Sequence, residues 1–533
     1  MNQENNQENN QENKLTIETS TYPDDKFFPI RGLIFQWVFL FLAAAYICLP
    51  IYNTSFFADL TFGRWILNHG AFIFNQLWLF AGENSANSLE ANAFPAWSYH
   101  SSWLFAALIA LIDSLGSLKL LIIFKVCLLF LIFLTTSYLN YKLSSHRFFG
   151  VFITLLACLG GFYANEFSAS LLGQLFFVLY FWVIYSLAMN WNKQNLFYLV
   201  VISTLYVNTH YSFLLVIPLG VVFFNMLKEQ SVLKTCAVFV WPILVLGFFS
   251  LFFNLHCLNS ASCSKTVPSP FFELNYYVAE LLRFENMLTI YNYELAVLVI
   301  VSAICLVFCY YSASRLAKVN AVTVLGLGAL GVIYAPLVSW VLILITFLCA
   351  MLWGQAKLEN LGNLAQGLDM LKNKFDWLPT SGFAFLLSCI SIVLLFKLVT
   401  NPSLEWIMPK EEAKFLLKNK ELISQGVVYE PQIGSYLLYK FSNKRGELRA
   451  NVAIDESYKF SDPVYFKMLQ NLCAIDSVEL LDKNLSSAKI ILCPTNSNLI
   501  QTLKSNNQFK VISKTKNSNN NAMLSSWTLL QRL

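Results

Sequence analysis

Apolar residues fill long stretches of the chain, separated by short polar segments, and this pattern ends after Lys397. A helix needs about 20 apolar residues to cross a bilayer core ~30 Å thick. Lipid offers no partner for backbone polar groups, so such runs should be helices. The pattern predicts an all-α polytopic membrane domain over 32–403, with about 11–13 transmembrane helices. The candidate spans are 32–52, 101–115, 118–139, 148–163, 171–189, 196–207, 212–227, 235–255, 294–313, 320–335, 336–353 and 382–400.

Composition agrees with a membrane protein. Hydrophobic residues make up 56% of the chain and charged residues only 13%, against roughly 25% charged residues in ordinary soluble domains. The net charge of +5 is too small to indicate a nucleic-acid partner. The bilayer itself is therefore the expected partner.

The two ends of the chain differ from the middle. Residues 1–31 open with a repeated Asn-Gln-Glu-Asn sequence and predict a disordered polar tail. Residues 404–533 carry mixed charge, and helix-like runs alternate there with short β-rich runs at 427–430, 448–454, 488–493 and 509–514. This alternation predicts a small C-terminal α/β soluble domain.

Lysine and arginine predict the orientation in the membrane, because loops rich in them stay in the cytoplasm. Five loops between the predicted spans are basic, carrying lysine or arginine. Two spans lie between each loop and the next, so all five loops lie on the same side of the membrane. The N-terminus is then cytoplasmic, and the segments 53–100, 256–293 and 404–533 are exoplasmic. We expect a multi-pass membrane protein. The run 101–115 is short and ends in a turn at 115–118, so it is expected to be tilted or re-entrant.

Cysteine placement is compatible with this orientation. Eight of the twelve cysteines lie in apolar spans, where they act as small hydrophobic residues. Two pairs fall in segments predicted to be exoplasmic, Cys257 with Cys263 and Cys473 with Cys493. An oxidising compartment permits disulfides, but spacing alone does not decide whether either pair forms one.

Polar residues beside or within the apolar runs are the candidates for chemistry. Asp59 and Glu166 are carboxylates on the predicted exoplasmic side, where either can act as a general base. The alternatives are an ion pair between Asp59 and Arg64 at the membrane interface, and a solvated loop position for Glu166. Asn208 and His210 lie between two spans and mark either a functional cluster or a hydrogen-bonded helix junction.

Three stretches resemble a known family. They are Gly63-Arg-Trp-Ile-Leu-Asn-His-Gly70 with Trp97-Ser-Tyr-His100, the junction Asn208-Thr-His210-Tyr-Ser212-Phe213, and the tail segments around Gly434 and Asp455. In this order they resemble the GT-C superfamily of membrane glycosyltransferases, and more closely a large set of poorly characterised bacterial members. The resemblance implies a GT-C-like fold that transfers a sugar from a polyprenyl-phosphate donor to a lipid, glycan or protein acceptor at the exoplasmic face.

The resemblance also implies roles for particular residues. Asp59 would be the catalytic carboxylate, with Glu166 as a supporting acid. The other candidates would contact the phosphate or sugar, and they are Arg64, His100, Asn208 and His210. The resemblance implies no cofactor. No metal ligands are assigned, and the involvement of a divalent metal ion stays open.

The chain departs from the family pattern at several positions. Ser55 stands where relatives often carry an acid, Asn75-Gln76 replace a usual Asp, and the basic residue expected near Leu172-Gly173-Gln174 is missing. The alternatives are therefore a non-enzymatic membrane scaffold of the same fold and a transporter. A transporter should show two related halves with interrupted helices, and no internal repeat is evident.

Overall fold

The structure, a computed structural model, consists mainly of helices, with a small sheet near the C-terminus. It describes residues 30–48, 50–51, 54–69, 102–145, 147–160, 167–210, 212–227, 230–259, 292–311, 322–329, 338–355, 380–400, 408–424, 427–429, 431–446, 472–474, 490–504, 508–514 and 527–532.

Eleven long helices precede the sheet among these residues. They are α1 Ile30–Ile47, α2 Thr54–His69, α3 Trp103–Ser144, α4 Arg147–Gly160, α5 Ala169–Met189, α6 Lys193–Val207, α7 Phe213–Leu227, α8 Val232–Asn259, α9 Asn292–Tyr311, α10 Val338–Gln355 and α11 Thr380–Thr400. Residues 322–329 are also helical. The segment 53–100, expected as an exoplasmic loop, thus begins with a helix.

Helix α3 is a hairpin of two arms. Gly116 and Ser117 have non-helical backbone angles, and Ser117 is left-handed with φ 63°. The rings of Phe105 and Phe124 both contact the ring of Phe167, at centroid distances of 5.7 and 6.2 Å. Residues 105 and 124 of a straight helix would stand ~28 Å apart, so the chain must reverse between them. The predicted turn at 115–118 is confirmed, and the arms are residues 103–115 and 118–144.

Contacts between helix ends define the two ends of the bundle. The start of α5 and the start of α10 meet through a hydrogen bond from Gln174 Nε2 to Ser339 Oγ, 3.0 Å long. The end of α10 meets the end of the second arm of α3, where Gly354 packs against the backbone of Leu143. The bundle therefore has two ends, and Lys142 lies at the end opposite to Ser339.

The C-terminal part is a small α/β unit. Its elements are α12 Lys410–Lys418, α13 Lys420–Ser424, β1 Val427–Tyr429, α14 Pro431–Phe441, a 3-10 turn Leu472–Ala474, β2 Ile490–Pro494, α15 Asn498–Lys504, β3 Phe509–Lys514 and β4 Trp527–Arg532. The strand order is β1-β2-β4-β3, with β1 parallel to β2 and the other pairs antiparallel. Cys473 and Cys493 form a disulfide, whereas Cys263 lies outside the described residues.

Helix α2 joins the two parts of the molecule. Ala58 and Phe62 of α2 and Ala106 of α3 belong to the same buried cluster as the core of the α/β unit, which includes Leu437 and Leu438 of α14. The ring of Phe57 also contacts the rings of Tyr436 and Tyr439, at 5.4 and 5.0 Å. The apolar core of the α/β unit is therefore completed by α2.

Two helices in the described part of the chain are long and apolar enough to cross a membrane, Trp103–Ser144 and Ala169–Met189. Several shorter helices are equally apolar.

Candidate functional site

Helix α2 carries Asp59 and Arg64 and is held tightly against the first arm of α3. Gly63 makes this approach possible, because a Cβ atom at this position would overlap the backbone oxygen of Ala106 and lie 2.9 Å from Cβ of Ala110. Asp59 is half-buried one turn before Gly63. A carboxylate with partial access to solvent can still exchange protons, as general base catalysis requires.

The guanidinium group of Arg64 is held by two neighbours. Its Nη2 and Nε atoms both donate to Oδ2 of Asp113, at 2.7 and 3.2 Å, and its Cζ atom lies 5.0 Å from the ring centroid of Tyr439. The alternative in which Arg64 pairs with Asp59 is wrong. Charge and spacing made that pair plausible, but the hairpin brings a different carboxylate to the guanidinium group.

Asn208 links the junction between α6 and α7 to the start of α3. Its side-chain oxygen accepts a hydrogen bond of 2.8 Å from Nε1 of Trp103, and its backbone oxygen accepts one of 3.3 Å from the amide of Leu104. Its side-chain amide donates to the backbone oxygen of Thr204, at 2.7 Å. Asn208 is buried; its side-chain nitrogen bonds to its own helix, and its side-chain and backbone oxygens hold the start of α3.

His210 lies in the turn between α6 and α7 and is also buried. The backbone N–H of Ser212 donates to Nδ1, at 3.2 Å, so this nitrogen carries no hydrogen. The Ser212 hydroxyl, 2.7 Å from Nδ1, must then donate to it, and Tyr206 donates in turn to the same hydroxyl, at 2.9 Å. In the neutral ring the hydrogen is thereby assigned to Nε2.

Burial lowers the pKa of His210 to about 3. The imidazole is consequently neutral at physiological pH. The ring lies nearly parallel to Trp340, with centroids 5.7 Å apart, and a side chain at Gly173 would come within 2.9 Å of the His210 Cβ. A fixed neutral imidazole of this kind can donate a hydrogen bond from Nε2 but cannot supply a positive charge.

The first arm of α3 brings these candidates to one region. Trp103 at its start contacts Asn208, Ala106 packs on Gly63, and Asp113 near its tip binds Arg64. The structure thus places α2 and the 208–212 junction on the same short arm. Glu166 and His100 lie outside the described residues, so their positions relative to Asp59 stay predictions.

Several residues at this site were not singled out from the sequence. They are Asp113, Tyr439 and Trp340. Asp113 offered one usable signal, since it is the single charged residue between 101 and 118, and such residues in apolar spans are functional candidates. Among the described residues, no group of three or more His, Cys, Asp or Glu side chains is placed to hold a metal ion.

Comparison with known proteins adds no family assignment. No protein-family model matches the chain, and no curated protein matches it either. The chemistry of the site must therefore be argued from its own residues.

Proposed function

We propose that this chain is a multi-pass membrane glycosyltransferase of the GT-C type. It would transfer a sugar from a polyprenyl-phosphate donor to a lipid, glycan or protein acceptor at the exoplasmic face of a bacterial inner membrane. The observation that supports this most is the position of Asp59. Its helix packs on the first arm of α3 through Gly63 and on the α/β unit through Ala58 and Phe62, and Asp59 is half-buried on this helix.

The outer faces of the bundle support a membrane location. Apolar side chains on α8 and α11 are more than half exposed, among them Leu233, Phe248, Phe385, Ile392, Val393 and Phe396. Soluble monomers rarely expose large contiguous apolar areas. The acyl chains of a bilayer would cover these faces without breaking any polar contact.

The distribution of charge supports the proposed sidedness. Lys142, Lys193 and Lys234 lie at helix ends opposite to the 208–212 junction, as expected for the cytoplasmic side. The α/β unit packs on α2, near the junction end, and holds the Cys473–Cys493 disulfide. Structural disulfides are typical of oxidising compartments such as the periplasm.

The contacts suggest different roles for the candidate residues. Asp59 is the proposed base that activates the acceptor, with Glu166 and His100 kept as supporting candidates from the sequence. Arg64 and Asn208 hold α2 and the start of α3, so we assign them to positioning rather than to binding the substrate. His210 is proposed to donate a hydrogen bond from Nε2, and no step is assigned to a metal ion.

A non-enzymatic scaffold is the second candidate. Arg64, Asn208 and His210 all make contacts within the chain, and α2 completes the core of the α/β unit. These contacts are sufficient to explain the polar residues as a device that presents the α/β unit at the membrane surface. In that case removal of the Asp59 carboxylate would change no glycan.

The test compares cells carrying the wild-type gene, a deletion, Asp59→Asn and Asp59→Glu. Lipid-linked sugars and surface glycans are measured by mass spectrometry, and the protein level in the membrane is measured by immunoblot. A transferase predicts that one sugar-bearing species is lost in the deletion and in Asp59→Asn, while Asp59→Glu retains part of it.

Glu411→Gln is the matched control, because it removes an exposed carboxylate of the α/β unit, 58% accessible. Its glycans should equal those of the wild type. If the deletion alters glycans and Asp59→Asn does not, Asp59 is not the catalytic carboxylate. If neither alters them, the scaffold function is favoured.

A further inference from the structure

The end of helix α14 and the turn after it are basic and pack on α2. We define the basic turn as residues 440–446, which contain Lys440, Lys444 and Arg445. Glu430 and Glu447 border α14 and the basic turn, and no acidic residue lies between them. Lys444 and Arg445 are exposed, so the end of α14 presents a concentrated positive charge to its surroundings.

The fold holds this turn in place. Asn443 accepts hydrogen bonds from the backbone N–H groups of Arg445 and Gly446, at 2.8 and 3.0 Å. Gly446 has φ +79°, and a Cβ atom there would lie 2.6 Å from the backbone nitrogen of Trp65. Glycine is the residue that tolerates both the left-handed backbone and this close approach. The cations are therefore fixed next to the last turns of α2.

The neighbours of the basic turn are typical of a membrane interface. The indole ring of Trp65 stacks on the imidazole ring of His69, with centroids 3.8 Å apart. Lys440 lies 5.3 and 5.0 Å from the ring centroids of Tyr436 and Tyr439. Tryptophan and tyrosine are enriched at the headgroup level of bilayers, where clustered lysine and arginine bind anionic lipids.

We propose that the basic turn binds the anionic headgroups of phospholipids at the surface of the bilayer. Two observations favour phospholipid headgroups over a soluble anion. The turn is positively charged, and it packs on α2, which itself packs directly against the apolar bundle. The contact would fix the height of the α/β unit above the membrane. The inference requires a membrane location for the chain but not a transferase activity.

The experiment uses the full chain purified in a neutral detergent at low salt. Thermal unfolding is followed while phosphatidylglycerol, phosphatidylcholine or inorganic phosphate is added. Ligand that binds only the folded state raises the unfolding temperature. We expect phosphatidylglycerol to stabilise the wild type, with little effect of phosphatidylcholine or of phosphate.

The double variant Lys444→Gln/Arg445→Gln should need roughly 30-fold more phosphatidylglycerol for the same rise, from ~1 kcal/mol per cation. The control Lys418→Gln/Lys420→Gln removes two exposed cations from α12 and α13 of the same unit and should respond like the wild type. Equal responses of the two double variants would overturn the proposal. So would stabilisation by inorganic phosphate at the same concentration, or no response of the wild type.

Discussion

Arg64 on α2 and Asp113 on the first arm of α3 form an ion pair, with 2.7 Å between Nη2 and Oδ2. The two residues are 49 positions apart in sequence. The same guanidinium group lies against the ring of Tyr439 in the α/β unit. The side chain of Arg64 therefore connects α2 to the first arm of α3 and to the α/β unit.

Breaking this pair should destabilise the protein. The side chains of Arg64 and Asp113 are only 15% and 12% exposed, so Asp113→Asn leaves a poorly solvated charge behind. We expect a loss of about 2 kcal/mol, between the values for exposed and fully buried pairs. Arg64→Lys should recover only part of it, because lysine lacks the planar fork that places two donors on one oxygen. Thermal unfolding in detergent measures both losses.

Lys414→Gln is the control for the ion pair. It breaks the Lys414–Glu411 pair, whose side chains are 57% and 58% exposed, and should cost less than about 0.5 kcal/mol. An equal loss in the control and in Asp113→Asn would contradict the special role of the Arg64–Asp113 pair.

The close contact at Gly63 gives a second prediction. Gly63→Ala places a methyl group into the backbone of Ala106, so α2 must move away from the first arm of α3. We expect a much reduced yield of folded protein in the membrane, measured by fluorescence-detected size exclusion of a tagged chain. Gly247→Ala in α8 meets no atom within 4 Å and should be neutral or stabilising by up to ~1 kcal/mol. Similar yields from the two variants would show that α2 does not pack as described.

The buried His210 predicts a pH dependence. Its pKa falls to about 3 in the folded protein because burial disfavours the charged ring, whereas the unfolded value is about 6.5. The contribution of His210 to the free energy of unfolding is therefore fully present above pH about 6.5. It decreases as the pH falls from there toward 3. The loss approaches ~1.4 kcal/mol per pH unit in this window.

The measurement is the unfolding temperature of the wild type and of His210→Gln between pH 7.5 and about 4. The variant should be less stable at pH 7.5 and should depend less on pH, since it cannot take up the proton. His69→Gln, which replaces an exposed histidine, should follow the wild-type curve. A wild-type curve parallel to that of His210→Gln would contradict the burial of a neutral His210.

The disulfide gives a prediction for the α/β unit. Cys473 and Cys493 enclose a sequence separation of 20 residues, and closing a loop of that size contributes about 3 kcal/mol in the chain-entropy view. Cys493→Ser should make residues 404–533 sensitive to limited proteolysis, as reducing agent should in the wild type. Cys127→Ser, which replaces an exposed free cysteine, should leave the digestion pattern unchanged.

The sequence by itself determined the long helices other than α2, the α/β character of the C-terminal unit and the reversal of α3. These features follow from local patterns, such as unbroken apolar runs or the Gly116-Ser117 step between two of them. Of the four expected strands, 427–430, 488–493 and 509–514 correspond to β1, β2 and β3, and 448–454 lies outside the described residues. Each can be recognised within a few residues of chain.

Only the tertiary structure decided which distant residues meet. Strand β4 was not predicted, because its partners β2 and β3 supply the neighbours that stabilise an extended Trp527–Arg532. Asp113 binds Arg64 because the hairpin in α3 carries it there, and the sequence offered the nearer Asp59 instead. Likewise, α2 completes the core of a unit that begins about 340 residues later. Local patterns fix backbone periodicity, whereas contacts between distant side chains depend on how the whole chain packs.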